Sequence, residues 1–198
     1  MNVTETKILA LVGSLRAGSI NRQIAELAAD VAPGGVTVTL FETLADVPFY
    51  NEDLDPGVGT PVEEPAEVAA LRAAAGEADA ALVVTPENNG TIPAVLKNAI
   101  DWLSRPFGDG ALKGKPLAVV GGALGRYGGV WAHDDTRKAF GIAGARVLDE
   151  VKLSIPFGTL GGLPPAENAE LTESVREVVG KLAAEVNAHA GAGVATEG

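Results

Sequence analysis

Residues 7–13 read KILALVG, and residues 14–22 continue as SLRAGSINR. After its lysine, the first stretch is a short apolar run that ends in glycine, which is typical of a buried parallel strand. The second stretch is polar and leads into residues 20–31. Apolar residues recur there with helical spacing, at Ile20, Ile24, Leu27 and Val31. A strand joined to a helix by a polar turn predicts an α/β fold.

The same alternation continues along the chain. Apolar or β-branched runs predict four more strands, at 36–41, 79–85, 115–121 and within 146–155. Helical patterns lie between and after them, at 66–75, 93–104, 130–141 and 171–186. Alternating strands and helices predict an α/β doubly wound five-stranded parallel sheet with helices on both faces. The expected strand order is 2-1-3-4-5.

The length of the chain and the absence of an internal linker predict a single domain over residues 1–190. With 198 residues, 46% of them hydrophobic, the chain is long enough to form one core. Residues 191–198 are rich in glycine and alanine and are predicted to form a disordered tail. Residues 42–65 are rich in proline and acidic residues and are predicted to be a loop, which at this length is often functional.

The composition excludes several kinds of site. The sequence has no cysteine, which removes disulfides, thiol catalysis, Cys-ligated zinc and iron–sulfur clusters. It has two histidines, His133 and His189, so a histidine-based metal site would need carboxylates, and no metal site is predicted. Because His133 precedes Asp134 and Asp135, we expect it at a solvated helix start, without a catalytic role.

The charge distribution indicates which kinds of partner the protein can bind. The net charge is −11, and the acidic excess is concentrated between residues 42 and 67, a segment without Lys or Arg that we interpret as a solubilising surface. No stripe of Lys and Arg is present, so no nucleic-acid partner is expected. Any anionic ligand must therefore be held by local donors.

The apolar segments are too short or too broken for a membrane. Residues 8–15 are apolar, but an acidic residue precedes them where a signal peptide would be positive. The long uncharged run at 153–166 is interrupted by glycine and proline. The sequence therefore predicts a soluble, cytoplasmic protein with no membrane partner.

Three loops contain the unusual residues of this chain. They follow the first, third and fourth strands, at 13–22, 86–93 and 121–129. In a doubly wound sheet, ligands bind at the carboxyl edge of the strands, where the strand order reverses. Because these strands are neighbours in the expected order, the three loops are predicted to line one cleft.

The first loop predicts a phosphate site. It matches neither the G-x-G-x-x-G pattern nor the lysine-containing P-loop. It is rich in donors, Ser14, Arg16, Ser19 and Asn21, and it opens a helix, so backbone N–H groups and side chains together form a phosphate cradle. The alternative is a glycine turn with Ser19 as a helix cap.

The other two loops predict contacts to a flat ligand. PENNGTIP, at 86–93, offers donors and acceptors to the polar edge of a planar ring such as a flavin; the alternative is a turn with Thr91 as a helix cap. GGALGRYGG, at 121–129, has glycines that allow close backbone approach. Arg126 and Tyr127 are available to a cofactor, substrate or partner subunit. The alternative for this segment is a flexible glycine loop.

With these motifs the sequence resembles the NADPH-dependent FMN reductase family, which has a flavodoxin-like fold and includes FMN, quinone, azo-dye and chromate reductases. The resemblance covers most of residues 7–186. It rests on GSLRAGSINR (13–22) and TPENNGTIPAVLKNAIDWLSRP (85–106), with support from PFYNEDLD (48–55) and GRYGG (125–129).

The resemblance implies a cofactor, FMN, and a co-substrate, NAD(P)H. It implies that the FMN phosphate is held by Ser14, Arg16, Ser19, Ile20 and Asn21. It implies that the isoalloxazine ring is bordered by Pro86, Glu87, Asn88, Asn89 and Gly90, with Gly122 and Ala123 in the third loop. Asn88 stands where the family commonly has tyrosine, and Ala123 stands where it often has a hydroxyl residue.

The function that this resemblance implies is an enzyme that passes electrons from NAD(P)H through flavin to a small acceptor: free flavin, a quinone, an azo compound or a metal oxyanion. The flavin carries the chemistry, so no catalytic side chain is expected. The resemblance also implies a homodimer or homotetramer. Trp102, Arg105 and Trp131 are candidate contacts, and the alternative is that they are core or ordinary surface residues. The main alternative is a non-enzymatic, flavodoxin-like electron carrier. A phosphate-ligand binding module and a hydrolase are weaker alternatives.

Overall fold

A computed structural model of the protein describes residues 5–56 and 61–194. It contains five strands: β1 (Thr6–Val12), β2 (Val36–Leu40), β3 (Ala80–Val84), β4 (Pro116–Ala123) and β5 (Arg146–Pro156). All pairings are parallel, and the order is β2-β1-β3-β4-β5. The predicted doubly wound sheet is therefore confirmed.

Five α-helices accompany the strands: α1 (Ile20–Asp30), α2 (Ala66–Glu77), α3 (Ala94–Leu103), α4 (Val130–Ile142) and α5 (Ala169–Val194). The last helix is longer at both ends than the predicted 171–186. Residues 195–198 of the predicted tail lie outside the described residues, and the tail stays a prediction. Within the described ranges, no helix is both long and apolar enough to span a bilayer.

The sheet separates two apolar cores, because successive strand residues point to opposite faces. On one face Ile8 packs with residues of α1 and α5, such as Ile24 and Leu182. On the other face Leu9 packs with residues of α2, α3 and α4, among them Leu71. The predicted helices on both faces are confirmed, and the sheet's carboxyl edge is left open between them.

The segment after β2 is tied closely to α3. It forms short 3₁₀ turns at Leu44–Asp46 and Glu52–Leu54. Asn98 donates to the carbonyls of Val47 (3.2 Å) and Pro48 (2.9 Å), and the indole of Trp102 donates to Pro48 (2.7 Å). Trp102 is completely buried. Of the two roles considered for Trp102, the core position applies: it anchors the loop and is not available for a subunit contact.

Part of the acidic excess lies inside the protein. Asp55 has no exposed surface and pairs with Arg72 at 3.1 Å. Glu64 also forms an ion pair with Arg72, whose guanidinium lies over the Trp102 ring at 5.5 Å from its centroid. The solubilising interpretation therefore fails for Asp55 and Glu64, which help to fix the long loop.

The edge strand β5 is irregular. Leu117 of β4 pairs with Val147, and Val119 pairs with Lys152. Between these two pairs, β5 therefore contains more residues than β4. The extra residues bulge from the ladder. Beyond the bulge, regular pairing resumes and continues to the carboxyl end of β4.

Candidate functional site

The three predicted loops line one cavity at the carboxyl edge of β1, β3 and β4. Its volume is about 830 Å³, within the usual range for small-molecule sites. The predicted site residues that line it are Ser14, Arg16, Ser19, Ile20, Asn21, Pro86, Glu87, Asn88, Gly122 and Ala123. The structure thus brings together most of the residues predicted from sequence.

The first loop presents free donors at the start of α1. Ser19 caps the helix, with its Oγ accepting from the backbone N–H of Arg22 at 3.4 Å. Across the described residues, the backbone N–H groups of Ile20 and Asn21 have no protein acceptor. The guanidinium of Arg16 is exposed and has no carboxylate partner among these residues. Free N–H groups at a helix N-terminus, beside a free cation, form an anion site.

Asn21 differs from its neighbours, because both ends of its side-chain amide are already used. Its Nδ2 donates to the carbonyl of Gly122 at 3.0 Å, and the Gly122 N–H donates to its Oδ1 at 2.8 Å. The side chain is 2% exposed. The prediction that this side chain is a free phosphate donor is therefore not supported. Asn21 instead clamps the first loop to the third.

The second loop is a tight turn. The backbones of Asn88 and Thr91 exchange hydrogen bonds of 3.2 and 3.1 Å. Between them, Asn89 (φ 51°) and Gly90 (φ 75°) adopt the left-handed conformation that Asn and Gly tolerate. Neither lines the cavity, so the turn interpretation applies to them. Thr91 does not cap α3 but donates to Asp135 at 2.6 Å.

The carboxylate of Glu87 is taken up by the start of α4. Its Oε2 accepts from the backbone N–H groups of Trp131 (3.1 Å) and Ala132 (3.2 Å). A carboxylate is stabilised at a helix N-terminus by free N–H groups and by the helix dipole. Glu87 therefore joins the second loop to helix α4, and its charge is compensated within the protein.

The glycines of the third loop serve the protein's own packing. A Cβ at Gly121, whose φ is 145°, would lie 2.2 Å from the carbonyl oxygen of Thr85. A Cβ at Gly122 would lie 2.4 Å from the ring of Phe157. Both glycines therefore make room for neighbouring strands and loops, and their role beside a flat ligand stays a prediction.

Sequence reasoning missed the apolar walls of the cavity. Leu15 and Leu124 line it and are 60% and 89% exposed, respectively. Phe157, which follows β5, also lines the cavity and lies outside the three loops. Leucines within the otherwise small and polar first and third loops were a usable signal. The sequence held no such signal for Phe157, because the loop that contains it follows an edge strand.

An exposed aromatic cluster adjoins the cavity at the third loop. The guanidinium of Arg126 lies 4.4 Å from the Tyr127 ring centroid, and that ring lies 5.9 Å from the ring of Trp131. Tyr127 is 51% and Trp131 57% exposed. Both therefore remain accessible to a ligand or a partner subunit.

His133 is buried, contrary to the expected solvated position. It has no exposed surface; its Nε2 lies 3.0 Å from the carbonyl oxygen of Thr85, and its Nδ1 lies 2.7 Å from Ser154 Oγ. Because a carbonyl only accepts, we assign the ring proton to Nε2. Burial is the largest influence on its pKa and lowers it, so the ring is neutral near pH 7.

The sheet order and the anion site define the class, a flavodoxin-like protein with a phosphate-containing cofactor. Residues 6–159 match the model of the NADPH-dependent FMN reductase family. The chain belongs to this family. It is thus an enzyme, a flavin-dependent oxidoreductase that uses FMN and takes its electrons from NAD(P)H.

Individual relatives agree with this assignment. The chain is 37% identical to a quinone reductase from Pseudomonas putida over 156 residues, covering 78% of this chain and 77% of the relative. It is 38% identical to a 2-hydroxy-1,4-benzoquinone reductase from a Burkholderia species, covering 66% and 68% of the two chains. The flavoenzyme NAD(P)H:acceptor oxidoreductase FerB from Paracoccus denitrificans has a similar structure, with a TM-score of 0.73, 28% identity, and coverage of 92% and 96%.

Proposed function

We propose that the cavity formed by the three loops holds FMN and that a quinone is the acceptor reduced there. The observation that carries this proposal is the free anion site at the start of α1, which opens into the same cavity as the second and third loops. In a chain with a net charge of −11, free N–H groups and the unpaired Arg16 are the local donors that a phosphate needs.

The residues at the phosphate end fit this assignment. Ser14 and Arg16 offer free side-chain donors, while Ile20 and Asn21 contribute their backbone N–H groups. Ser19 holds the helix start in place by capping it. The nearby carboxylate of Glu87 is already paired with two N–H groups of α4, which reduces its repulsion of a bound phosphate.

The other end of the cavity fits a planar ring. Asn88 and the backbone around Pro86 supply polar groups, and Gly122 and Ala123 supply a small-residue floor. The exposed leucines and Phe157 form its apolar walls. FMN, when bound, accepts a hydride from NAD(P)H and returns two electrons to the acceptor. The chain's task is to bind, orient and shield.

A quinone is the proposed acceptor because both curated relatives described above are named for quinone reduction. Leu15 and Leu124 at the rim suit an uncharged planar molecule better than an oxyanion. Free flavin, an azo compound and a metal oxyanion are the comparison acceptors for the same assay.

The decisive experiment is an absorbance spectrum of the purified protein, followed by anaerobic addition of NADPH and then of benzoquinone. We expect flavin bands that bleach with NADPH and return with benzoquinone. Continuous NADPH oxidation by catalytic amounts of protein would exclude the electron-carrier alternative. A flavin that NADPH does not bleach, but that a separate reductase does, would favour the carrier. A protein that fails to take up FMN would contradict both.

We propose in addition that the protein forms a homodimer or homotetramer and works in the cytoplasm, where NAD(P)H is supplied. Large apolar side chains on its surface support the oligomer: Phe107 is 85% exposed, Ile142 72% and Trp131 57%. Multi-angle light scattering measures the state directly, and a monomer at micromolar concentration would contradict the proposal. Retention in the cytoplasmic fraction of cells would test the location.

A further inference from the structure

Thr85 lies at the start of the second loop, where the first and third loops approach it closely. It directly follows β3, is completely buried, and donates from its N–H to the carbonyl of Val120 at 3.0 Å. A Cβ at Gly13 would lie 2.4 Å from its Oγ1, and a Cβ at Gly121 would lie 2.2 Å from its carbonyl oxygen. Two glycines, one from each neighbouring loop, therefore leave it room.

The carbonyl oxygen of Thr85 accepts a hydrogen bond from His133, a residue that does not line the cavity. His133 Nε2 donates to that oxygen at 3.0 Å, while Ser154 Oγ donates to His133 Nδ1 at 2.7 Å. The side chain of Thr85 cannot replace this contact, because its hydroxyl donates to the carbonyl of Pro86. One neutral imidazole thus links the end of β3 to β5.

From these contacts we infer that His133 is a positioning residue for the ring side of the cavity. The direction of the Thr85 carbonyl sets the peptide plane from which Pro86, Glu87 and Asn88 leave the sheet. Glu87 is tied to the first turn of the same helix. Helix α4 therefore holds the second loop at two points, and His133 is the buried one. This inference rests on the proposed function, which places FMN against that loop.

The charged groups around His133 define the setting in which it acts. Arg137 lies in the next turn of α4 and is itself buried, with its guanidinium on the Val119 carbonyl. Asp134 forms an ion pair with Arg137 at 2.8 Å, and Glu87 is held at the first turn of the same helix. Because both of its ring nitrogens have partners inside the protein, the buried ring keeps one set of contacts.

Two substitutions separate positioning from mere packing. In His133→Gln the amide nitrogen reaches about as far as Nε2 and can still donate to the Thr85 carbonyl. In His133→Asn the shorter amide reaches only the Nδ1 position, on the Ser154 side. The two variants are similar in polarity and differ in which contact survives.

We expect His133→Asn to raise the dissociation constant of FMN about tenfold, which corresponds to one lost buried hydrogen bond and a smaller binding-competent population of the loop. Riboflavin, which has no phosphate, should lose affinity by the same factor, and the visible bands of bound flavin should shift. His133→Gln should stay close to wild type in both respects.

Three results would overturn the inference. The first is a lower melting temperature in His133→Asn with unchanged flavin affinity and spectrum, which would make His133 a packing residue only. The second is an equal loss in His133→Gln. The third is a wild-type protein that binds no FMN; this defeats the proposed function as well, whereas the first two leave it intact. If His133→Asn does not fold, Ser154→Ala decides, with a weaker effect of the same direction expected and unchanged affinity counting against the inference.

Discussion

The first and second loops of the cavity have similar polar compositions but use their polar groups differently. In residues 13–22, Arg16 and the first N–H groups of α1 have no protein partner in the described structure. In residues 86–90, Glu87 is bound by the start of α4 and Asn89 forms a turn. One loop is left open for a ligand, and the other is held rigid by its own protein.

This difference assigns separate tasks to the two ends of the site. Free donors can bind an anion tightly, because no protein acceptor competes with the anion for their hydrogen bonds. Donors and acceptors already used inside the protein fix shape instead. We therefore expect affinity to be set mainly at the phosphate loop, and orientation of the ring mainly at the second loop.

The largest effect should come from Asn21, a side chain of the first loop whose polar groups are already used within the protein. Asn21→Ala removes both hydrogen bonds to Gly122 and leaves a buried N–H and a buried carbonyl without partners. We expect the free energy of unfolding to fall by about 3 to 4 kcal/mol in urea denaturation. Asn21→Asp keeps the acceptor but turns a buried carboxylate oxygen towards the Gly122 carbonyl, so it should lose at least as much. A small loss in Asn21→Ala would show that the clamp is dispensable.

The open loop should show the opposite behaviour. Ser14→Ala combined with Arg16→Ala removes donors that no protein group uses, so stability should remain within about 0.5 kcal/mol of wild type. The FMN dissociation constant should rise about a hundredfold, since hydrogen bonds to charged groups are strong. Fluorescence titration measures this, with riboflavin as the control ligand whose affinity should not change. Unchanged FMN affinity would refute the phosphate assignment.

Glu87→Gln tests the second loop, whose polar groups are already used within the protein. The amide oxygen can still accept from the N–H groups of Trp131 and Ala132, but the charge at the helix start is lost. We expect the free energy of unfolding to fall by about 0.5 to 1 kcal/mol, with less than a twofold change in FMN affinity. Glu67→Gln, in the first turn of α2, is the matched control for a helix-start carboxylate. A large change in FMN affinity would mean that the Glu87 charge acts on the ligand directly.

The smallest expected effect is on the pH dependence of the free energy of unfolding. Burial lowers the pKa of His133 below its ordinary value of 6.5. At mildly acidic pH this histidine is therefore protonated in the unfolded chain and neutral in the folded chain. The unfolding free energy of the protein without ligand should therefore be constant above about pH 7 and fall as the pH drops from about 6.5 towards 5. Urea titrations at several pH values measure the slope. His133→Gln should flatten it, and an unchanged slope would show that another group is responsible.

Much of the fold was predictable because its strands have strong local signals. The apolar runs of β1, β3 and β4 can only be buried on both faces, and helices between them require parallel pairing. The edge strand β5 was bounded less well, because it is partly exposed and bulged and therefore lacks a continuous apolar run.

The site was predictable in its location and less so in its detail. Strand order alone brought Ser14, Glu87 and Gly122 to one edge of the sheet. Which polar side chain serves the protein and which serves a ligand depends on contacts far away in sequence, such as that between Asn21 and Gly122. The buried position of His133 did have a local signal, since Ala132, His133, Thr136, Arg137 and Phe140 follow helical spacing on one buried face. The two aspartates beside it obscured that pattern.

The bulge in β5 also bears on how the protein behaves at high concentration. A regular edge strand offers a row of free N–H and carbonyl groups to which a second chain can add its own strand. In β5 the row is broken between Val147 and Lys152, and the exposed Asp149 and Glu150 lie in the break. Two negative charges on an interrupted edge disfavour intermolecular strand pairing and should keep the chain from aggregating.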